Sequence, residues 1–361
     1  GLVNDRACVA RVADRFSLVY TPFHGTGYQL IPEALKRLGM KHVLCVPEQM
    51  VIDGDFPTVA SPNPENAESF ALAEELAKAH SCDLIVGSDP DADRVGVMVR
   101  NATGTYEVLS GNQTGVLLLD YLIGAKKRAG TLPDNAYANT TIVTTQMVDK
   151  ICAVNGIHTA RTFTGFKFLA EKKDALEKNG AGKVFFSFEE SFGYMLGDYV
   201  RDKDAVTAIV LIVEMAAWYA DQGKTLYDAL QDCYAKYGYY GEKTVNLVMP
   251  GLDGLARMAA IMKRLHDAPL TEVAGTPVTL QKDYLTGQMT VPGQAAEPME
   301  LKDSDVVAYD LADGSTFIIR PSGTEPKIKV YILANGADQA ECQTKVQKYA
   351  AFADTIQALA P

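Results

Sequence analysis

The sequence predicts an α/β protein: two tandem three-layer α/β domains with mixed sheets, followed by a smaller C-terminal α+β domain. Three observations lead there. The chain has 361 residues, more than the roughly 250 to 300 at which a single hydrophobic core stops growing, so two or three domains are expected. Along its first two sections, short apolar strand signals alternate with helical periodicity, the βαβ rhythm of a mostly parallel sheet covered by helices. In the last section strand signals are grouped before one closing helix, the pattern of a small α+β domain. The boundaries expected from these changes are 1–109, 110–244 and 245–361.

Phe16 to Tyr20 reads as a short apolar strand, Pro22 to Gly27 as a Gly-rich loop, and Gln29 to Leu38 as a helix stopped by Gly39. His42 to Val46 and Asp83 to Gly87 are the next strands, with a helix around Glu65 to Ala79 between them. Arg94 to Val99 continues the strands, and Asn101 to Thr105 is a turn. From Gly111 a helix over Gln113 to Lys127 opens the second section, whose strands are expected near Ile142 to Thr144, Thr159 to Phe163 and Val184 to Ser187. Helices fall between and after them, notably Asp204 to Asp221. The third section has a helix near Leu255 to His266, a Pro/Gly-rich stretch up to Met299, strands at Ser315 to Ile319 and Lys327 to Leu333, and a helix from Asp338.

Bulk properties remove several function classes. No segment approaches the roughly 20 unbroken apolar residues of a membrane span, so no membrane role is expected. The formal charge of -11 argues against nucleic acid as a partner, because phosphate backbones are held by clustered Lys and Arg. Cys8, Cys45, Cys82, Cys152, Cys233 and Cys342 lack any CxxC or Cys/His spacing and read as reduced core residues of a cytoplasmic protein. Gly1-Leu2-Val3-Asn4-Asp5 leads directly into a helical pattern, without an initiator Met or a signal sequence, and suggests a chain cut from a longer protein.

The sharpest local feature is Gly87-Ser88-Asp89-Pro90-Asp91-Ala92-Asp93-Arg94, at the end of an apolar strand. Three carboxylates at alternate positions of a tight loop can aim oxygens at one centre, which suits a hard cation such as Mg2+. A solvated acidic turn would show the same composition, but apolar strand resumes at Val95, so the loop is short and anchored at both ends. An EF-hand is disfavoured, since Arg94 stands where that loop needs Gly and Arg100 where it needs Glu. Arg320-Pro321-Ser322-Gly323-Thr324-Glu325-Pro326 lies between two strands. Arg320 can grip a phosphate bidentately, Ser322 and Thr324 offer hydroxyls, and Gly323 permits close backbone approach. A hairpin loop whose hydroxyls cap their own backbone fits equally well.

Phe188-Glu189-Glu190-Ser191-Phe192-Gly193-Tyr194 could bind sugar hydroxyls or simply join a strand to a helix. Thr164-Gly165-Phe166-Lys167 could orient a cationic Lys167 or merely begin a helix, and Arg201-Asp202-Lys203-Asp204 reads as a solvated, helix-capping run. In His24-Gly25-Thr26-Gly27 the third Gly of a dinucleotide fingerprint would fall at Leu30, so that fingerprint fails and a packing or active-site loop is expected.

Taken in order, these motifs resemble the α-D-phosphohexomutase superfamily, particularly its bacterial phosphoglucomutase and phosphomannomutase members. The resemblance covers essentially the whole chain as domains two, three and four of a four-domain enzyme in which each domain lends one loop to a central cleft. It implies that Asp89, Asp91 and Asp93 are the Mg2+ ligands of a D-x-D-x-D-R loop ending in Arg94. Glu189 and Ser191 match a sugar-binding E-x-S pattern, and Arg320, Ser322, Gly323 and Thr324 match an R-x-S-G-T phosphate loop. Arg94 and Lys167 are the catalytic candidates. Some relatives carry a His soon after E-x-S; here Phe192 and Gly193 follow, so the acid/base on that side is unassigned.

The family's first domain carries a T-x-S-H-N-P-type loop with the phosphorylated serine, and no such loop occurs in this sequence. Ala60-Ser61-Pro62-Asn63-Pro64 imitates it with Pro62 in place of His, and Ser61 reads as a turn residue. The resemblance therefore implies a hexose 1-phosphate/6-phosphate mutase working through a phosphoserine and a sugar 1,6-bisphosphate, with this chain lacking the N-terminal domain and inactive alone. Two rivals are a non-catalytic sugar-phosphate-binding protein and a haloacid-dehalogenase-type phosphatase. The latter expects Thr or Val where Asp93 stands.

Overall fold

The computed structural model describes residues 2–251, 253–323 and 325–359. They divide into two compact units, residues 1–237 and 238–361.

In the first unit, the first sheet is built from β1 (Ser17–Thr21), β2 (His42–Cys45), β3 (Leu84–Ser88), β4 (Val95–Arg100) and β5 (Tyr106–Leu109). Their order is β2-β1-β3-β4-β5, with β2, β1 and β3 parallel and β4 and β5 antiparallel. Helices α1 (Arg6–Val12), α2 (Leu30–Leu38) and α3 (Ala71–His80) belong to this part. Ala73 and Ala77 of α3 bury against Val19, Ile85 and Met98, which share one face of the sheet by the two-residue alternation of strands.

The second sheet follows α4 (Gly111–Ala129), whose N-terminus is closed by a reciprocal capping box between Ser110 and Gln113. It holds β6 (Ala136–Thr141), β7 (His158–Thr162), β8 (Lys183–Phe188) and β9 (Tyr194–Leu196), in the order β7-β6-β8-β9, with only β9 antiparallel. Helices α5 (Met147–Asn155) and α6 (Phe166–Lys178) connect its strands, and α7 (Ala205–Asp221) and α8 (Leu226–Tyr237) complete the unit. Helix α7 contacts β3 and β4 of the first sheet and β9 of the second. That shared burial explains its apolar composition, and no single helix among the described residues is long and apolar enough to cross a membrane.

Among the described residues, the second unit holds one antiparallel sheet and two α-helices. Its strands are β10 (Tyr239–Val248), β11 (Glu272–Val273), β12 (Thr276–Asp283), β13 (Gln288–Thr290), β14 (Glu297–Pro298), β15 (Val307–Leu311), β16 (Thr316–Pro321) and β17 (Lys327–Gly336). Helices α9 (Gly254–Asp267) and α10 (Gln339–Ala353) pack on it. The order is β10-β17-β16-β15-β12-β13-β14, with β11 paired to β12. Ile261, Leu265, Tyr309, Phe317, Ile319, Val330 and Tyr349 form its core.

The fold class therefore matches the one the sequence predicts, with differences in individual elements. The strand expected at Ile142 to Thr144 is β6, and it ends at Thr141; residues 142–144 turn, closed by the Thr144 hydroxyl on Thr141. Tyr137, Thr140 and Thr141 favour a strand, but Ala-Tyr-Ala-Asn-Thr-Thr has no apolar run to mark it, and its pairing with β7 and β8 is what makes it central. The Pro/Gly-rich stretch before Met299 holds β11, β12, β13 and β14, since Pro277 sits where β12 tolerates a missing donor. Strand β10 starts at Tyr239 and pairs with β17 along its full length, so residues 239–244 belong to the C-terminal sheet.

Candidate functional site

Strand β3 delivers Asp89 at its C-terminal end, and the chain reverses within residues 89–94 to enter β4. The Asp89 carboxylate organises this reversal from inside: its Oδ1 accepts the backbone N–H groups of Asp93 at 3.0 Å and Arg94 at 2.8 Å. Ala92 takes the left-handed conformation (φ 58) that closes the loop. The result is that Asp89, Asp91 and Asp93 each offer a carboxylate oxygen, all within 4.8 Å of one another. Asp89 is 8% exposed. Its burial, with the charges of Asp91 and Asp93, pushes its carboxyl up to about 7 against the two N–H bonds. Hard oxygen donors and concentrated negative charge are what a divalent cation needs. The triplet fits Mg2+.

The segment after β8 reaches the same place. Arg94 forms an isolated antiparallel bridge with Gly193, and Val95 donates its N–H to the Phe192 carbonyl at 3.0 Å. The acidic loop of the first sheet and the Glu189 loop of the second are thus joined by backbone. Glu189 is 5% exposed, and its Oε1 accepts the Gly165 N–H at 2.5 Å. Burial first, then the Glu190 charge, pushes the Glu189 carboxyl up to about 7, while Gly165, Lys203 and Arg94 pull it down. Ser191 Oγ lies 3.5 Å from Glu189 Oε2. Glu190 turns away and accepts the hydroxyls of Thr141 at 3.0 Å and Thr144 at 3.2 Å.

The run 201–204, expected to be solvated and helix-capping, caps the helix but does not leave Lys203 in solvent. Asp204 does cap α7, accepting the Val206 N–H at 2.9 Å. Lys203, however, has only 18% of its side chain exposed and places Nζ 2.8 Å from Asp93 Oδ2. Its stem passes where a Cβ on Gly193 would sit, 2.5 Å from the Lys203 Cδ, so this position needs glycine for space. Burial alone would lower the Lys203 ammonium, but Asp93 and then Asp202 hold it above its ordinary value. The acidic loop is also tied to the start of α7 through Ala205 N–H on Ala92 O, 3.0 Å. A cation soon after the Tyr-Met-Leu strand, beside a capping Asp, was the only sequence sign of this residue.

Arg94 stands over the site's rim, its guanidinium 3.9 Å from Asp93, 4.0 Å from Asp89 and 3.8 Å from Glu65. Lys167 is exposed on the first turn of α6 with its ammonium 4.8 Å from the Phe168 ring centre. Ser61 is a turn residue in the structure: its carbonyl accepts Asn63 N–H and Ser69 Oγ, and its hydroxyl accepts from Asn66.

In the second unit, Arg320 lies near the end of β16, paired with Lys329 of β17. Ser322 donates its N–H to Lys327 O at 2.8 Å, closing the loop, and Gly323 has open space where a Cβ would stand. Glu325 forms an ion pair with Lys327. Thr324 lies outside the described residues.

Three domain models of one protein family match successive parts of the chain. Residues 2–104 match the model of phosphoglucomutase/phosphomannomutase alpha/beta/alpha domain II. Residues 110–237 match alpha/beta/alpha domain III, and 245–347 the C-terminal domain of the same proteins. The fold is that of phosphoglucomutase/phosphomannomutase domains II, III and IV. The chain belongs to the α-D-phosphohexomutase superfamily.

It is 33% identical over 330 residues to a phosphoglucomutase of Staphylococcus aureus (strain MRSA252), an alignment covering 91% of this chain and 58% of that protein. The chain thus spans less than two thirds of that relative. Among solved structures, the phosphoglucomutase parafusin from Paramecium, in its open form, superimposes with a TM-score of 0.65 at 19% identity, over 99% of this chain and 61% of that one. An Aspergillus fumigatus N-acetylphosphoglucosamine mutase, in complex with GlcNAc-6P and magnesium, superimposes with a TM-score of 0.52 at 14% identity, over 99% of this chain and 65% of that one.

Proposed function

We propose that this chain supplies the metal-binding, sugar-binding and phosphate-binding parts of a cytoplasmic phosphohexomutase that interconverts glucose 1-phosphate and glucose 6-phosphate. The observation that carries the reading is the acidic triplet, with three carboxylate oxygens within 4.8 Å, joined through Arg94 and Gly193 to the Glu189 loop. The phosphoglucomutase name of the Staphylococcus relative supports glucose as the sugar. The magnesium and sugar phosphate of the Aspergillus structure support the cation and the ligand class. Six unpaired cysteines suit a reducing compartment.

In this reading Asp89, Asp91 and Asp93 hold Mg2+, which neutralises charge on the phosphoryl group in transfer. Arg94 adds positive charge beside them. Glu189 and Ser191 hold sugar hydroxyls, and the elevated Glu189 carboxyl can either donate or accept near neutral pH. Arg320, Ser322, Gly323 and Thr324 grip the phosphate that is not reacting. Lys203 rather than Lys167 carries the proton on this side, because it is enclosed and bonded to Asp93 whereas Lys167 faces solvent. The reaction runs through a phosphoserine and a sugar 1,6-bisphosphate. We place that serine outside these residues, because Ser61 is bound into a turn.

A coupled assay of glucose 1-phosphate conversion, with glucose 1,6-bisphosphate as activator, tests both parts. The isolated chain is expected to show no turnover, and the protein of the complete reading frame to show Mg2+-dependent turnover lost in Asp91→Asn. Robust turnover by the isolated chain would overturn its inactivity. Absence of turnover in the longer protein would overturn the mutase reading.

A further inference from the structure

The loop His24-Gly25-Thr26-Gly27 has no role in the function proposed above, and its geometry gives it one. It follows β1, and Phe23 and His24 occupy the left-handed region in succession (φ 47 and 64). That is unfavourable for L-residues by roughly 1–2 kcal/mol each, so the surroundings must impose it. They do. His24 is 3% exposed, with Nδ1 2.9 Å from Val51 O and Nε2 2.8 Å from Thr58 Oγ1. Its N–H donates to Gln49 O at 3.1 Å, and its carbonyl accepts from Asp53 at 3.3 Å.

What this rigid turn presents is a seat for Pro90. Thr26 donates both its N–H, at 2.8 Å, and its hydroxyl, at 3.1 Å, to the Pro90 carbonyl. Gly25 has φ -95 and ψ -176, extended backbone that any residue adopts, so conformation does not demand glycine there. Space does: a Cβ would stand 2.3 Å from Pro90 Cα and 2.5 Å from Pro90 O, both backbone atoms that no rotamer can withdraw. Pro90 links Asp89 to Asp91 and has no N–H, so its carbonyl is the backbone handle by which the acidic loop can be oriented. The far side of that loop is held at Ala92 by Ala205.

We infer that the His24–Gly27 loop is the platform that sets the position of the acidic loop for its cation, with Gly25 and Thr26 as positioning residues. This rests on the metal reading of Asp89, Asp91 and Asp93. Outer partners that orient metal ligands typically change metal affinity by roughly 10- to 100-fold when altered, and Gly25→Ala belongs in that range. Thr26→Val keeps volume and the backbone donor, and should weaken binding roughly threefold.

The experiment is Mn2+ binding to the chain by electron paramagnetic resonance, beside its metal-free thermal unfolding. Gly182→Ala is the control: its Cβ would stand 2.3 Å from Asn135 O and 2.5 Å from the Tyr137 ring, a comparable clash at the entry to β8. We expect Gly25→Ala to lose Mn2+ affinity, Thr26→Val to follow in the same direction, and Gly182→Ala to lose stability while binding Mn2+ as the parent does. If Gly25→Ala does not fold, Thr26→Val decides. Parent-like affinity in the folded Gly25 and Thr26 variants, or an equal loss in Gly182→Ala, overturns the inference alone. A parent chain whose Mn2+ binding is absent or indifferent to Asp91→Asn sinks the metal reading and this inference with it.

Discussion

Replacing Asp89 by Asn should stabilise the metal-free chain at alkaline pH while abolishing its response to Mg2+. Asp89 Oδ1 accepts two backbone N–H bonds, and the amide oxygen of Asn can accept the same two, so the loop keeps its shape. What disappears is a buried charge beside two others of the same sign. Asp89 titrates at about 7 in the folded chain against an ordinary 3.8. The native state therefore holds a proton that the unfolded state has released, and stability falls as pH rises from about 4 to about 7. At 1.36 kcal/mol per tenfold in proton affinity, the loss is about 4 kcal/mol in total. Roughly 2–3 kcal/mol of it falls between pH 5 and pH 8. Asn has no such titration.

Trp218 is the protein's one tryptophan and sits in α7 of the unit that holds the site, so its fluorescence during urea unfolding reports on that unit. In EDTA, the advantage of Asp89→Asn over the parent should grow by about 2–3 kcal/mol from pH 5 to pH 8. With saturating Mg2+ the parent should gain stability and the variant should not. A variant less stable than the parent at pH 8 in EDTA, with no change in the difference between the two pH values, would refute the burial argument.

Other perturbations give distinct outcomes. In the complete reading-frame protein, Lys203→Met should lower kcat by roughly 10²- to 10³-fold, and Lys203→Arg should keep KM but not kcat, since it retains the charge beside Asp93 without a transferable proton. A kcat unchanged in Lys203→Met and lost in Lys167→Met would reverse the assignment. Arg320→Lys should weaken binding of glucose 1,6-bisphosphate to the chain by roughly tenfold in calorimetry, the equivalent of one charge-assisted hydrogen bond. In the second unit, His266 is held by Asp305 at 2.8 Å and by Asp283 at 3.1 Å. Against the burial that would lower it, these carboxylates raise its proton affinity above the ordinary value. Their stabilisation is fully present below the unfolded pKa and lost as pH rises through the folded one. Hydrogen exchange of the α9 peptide 254–267 should accelerate from pH 6 to pH 8.5 beyond the intrinsic chemical rate, and His266→Gln should remove that excess.

Much of the site was legible in the primary structure because its chemistry is local. Asp89, Asp91 and Asp93 lie within five residues of one another, and a tight turn at the end of an apolar strand is enough to gather them. Fold class was legible for a similar reason: strand and helix periodicities are properties of short windows. Strands whose identity is conferred by neighbours were not. Strand β6 lies between β7 and β8 with Ala, Tyr, Asn and Thr as its residues and no apolar run, and β12 crosses a stretch marked by Pro and Gly.

The three features that sequence could not yield all depend on contacts across long separations. Lys203 acquires meaning only when α7 is brought beside β4 and its ammonium meets Asp93. The His24–Gly27 loop gains its place only when Pro90, far along the chain, is pressed within 2.3 Å of the missing Gly25 Cβ. The elevated carboxyls of Asp89 and Glu189 come from burial, which no residue carries in its own identity. The sequence by itself therefore determined which groups could do chemistry and in which short loops they stand. Tertiary structure decided which were enclosed, which were paired and which backbone held them, because desolvation and close packing exist only once distant segments meet.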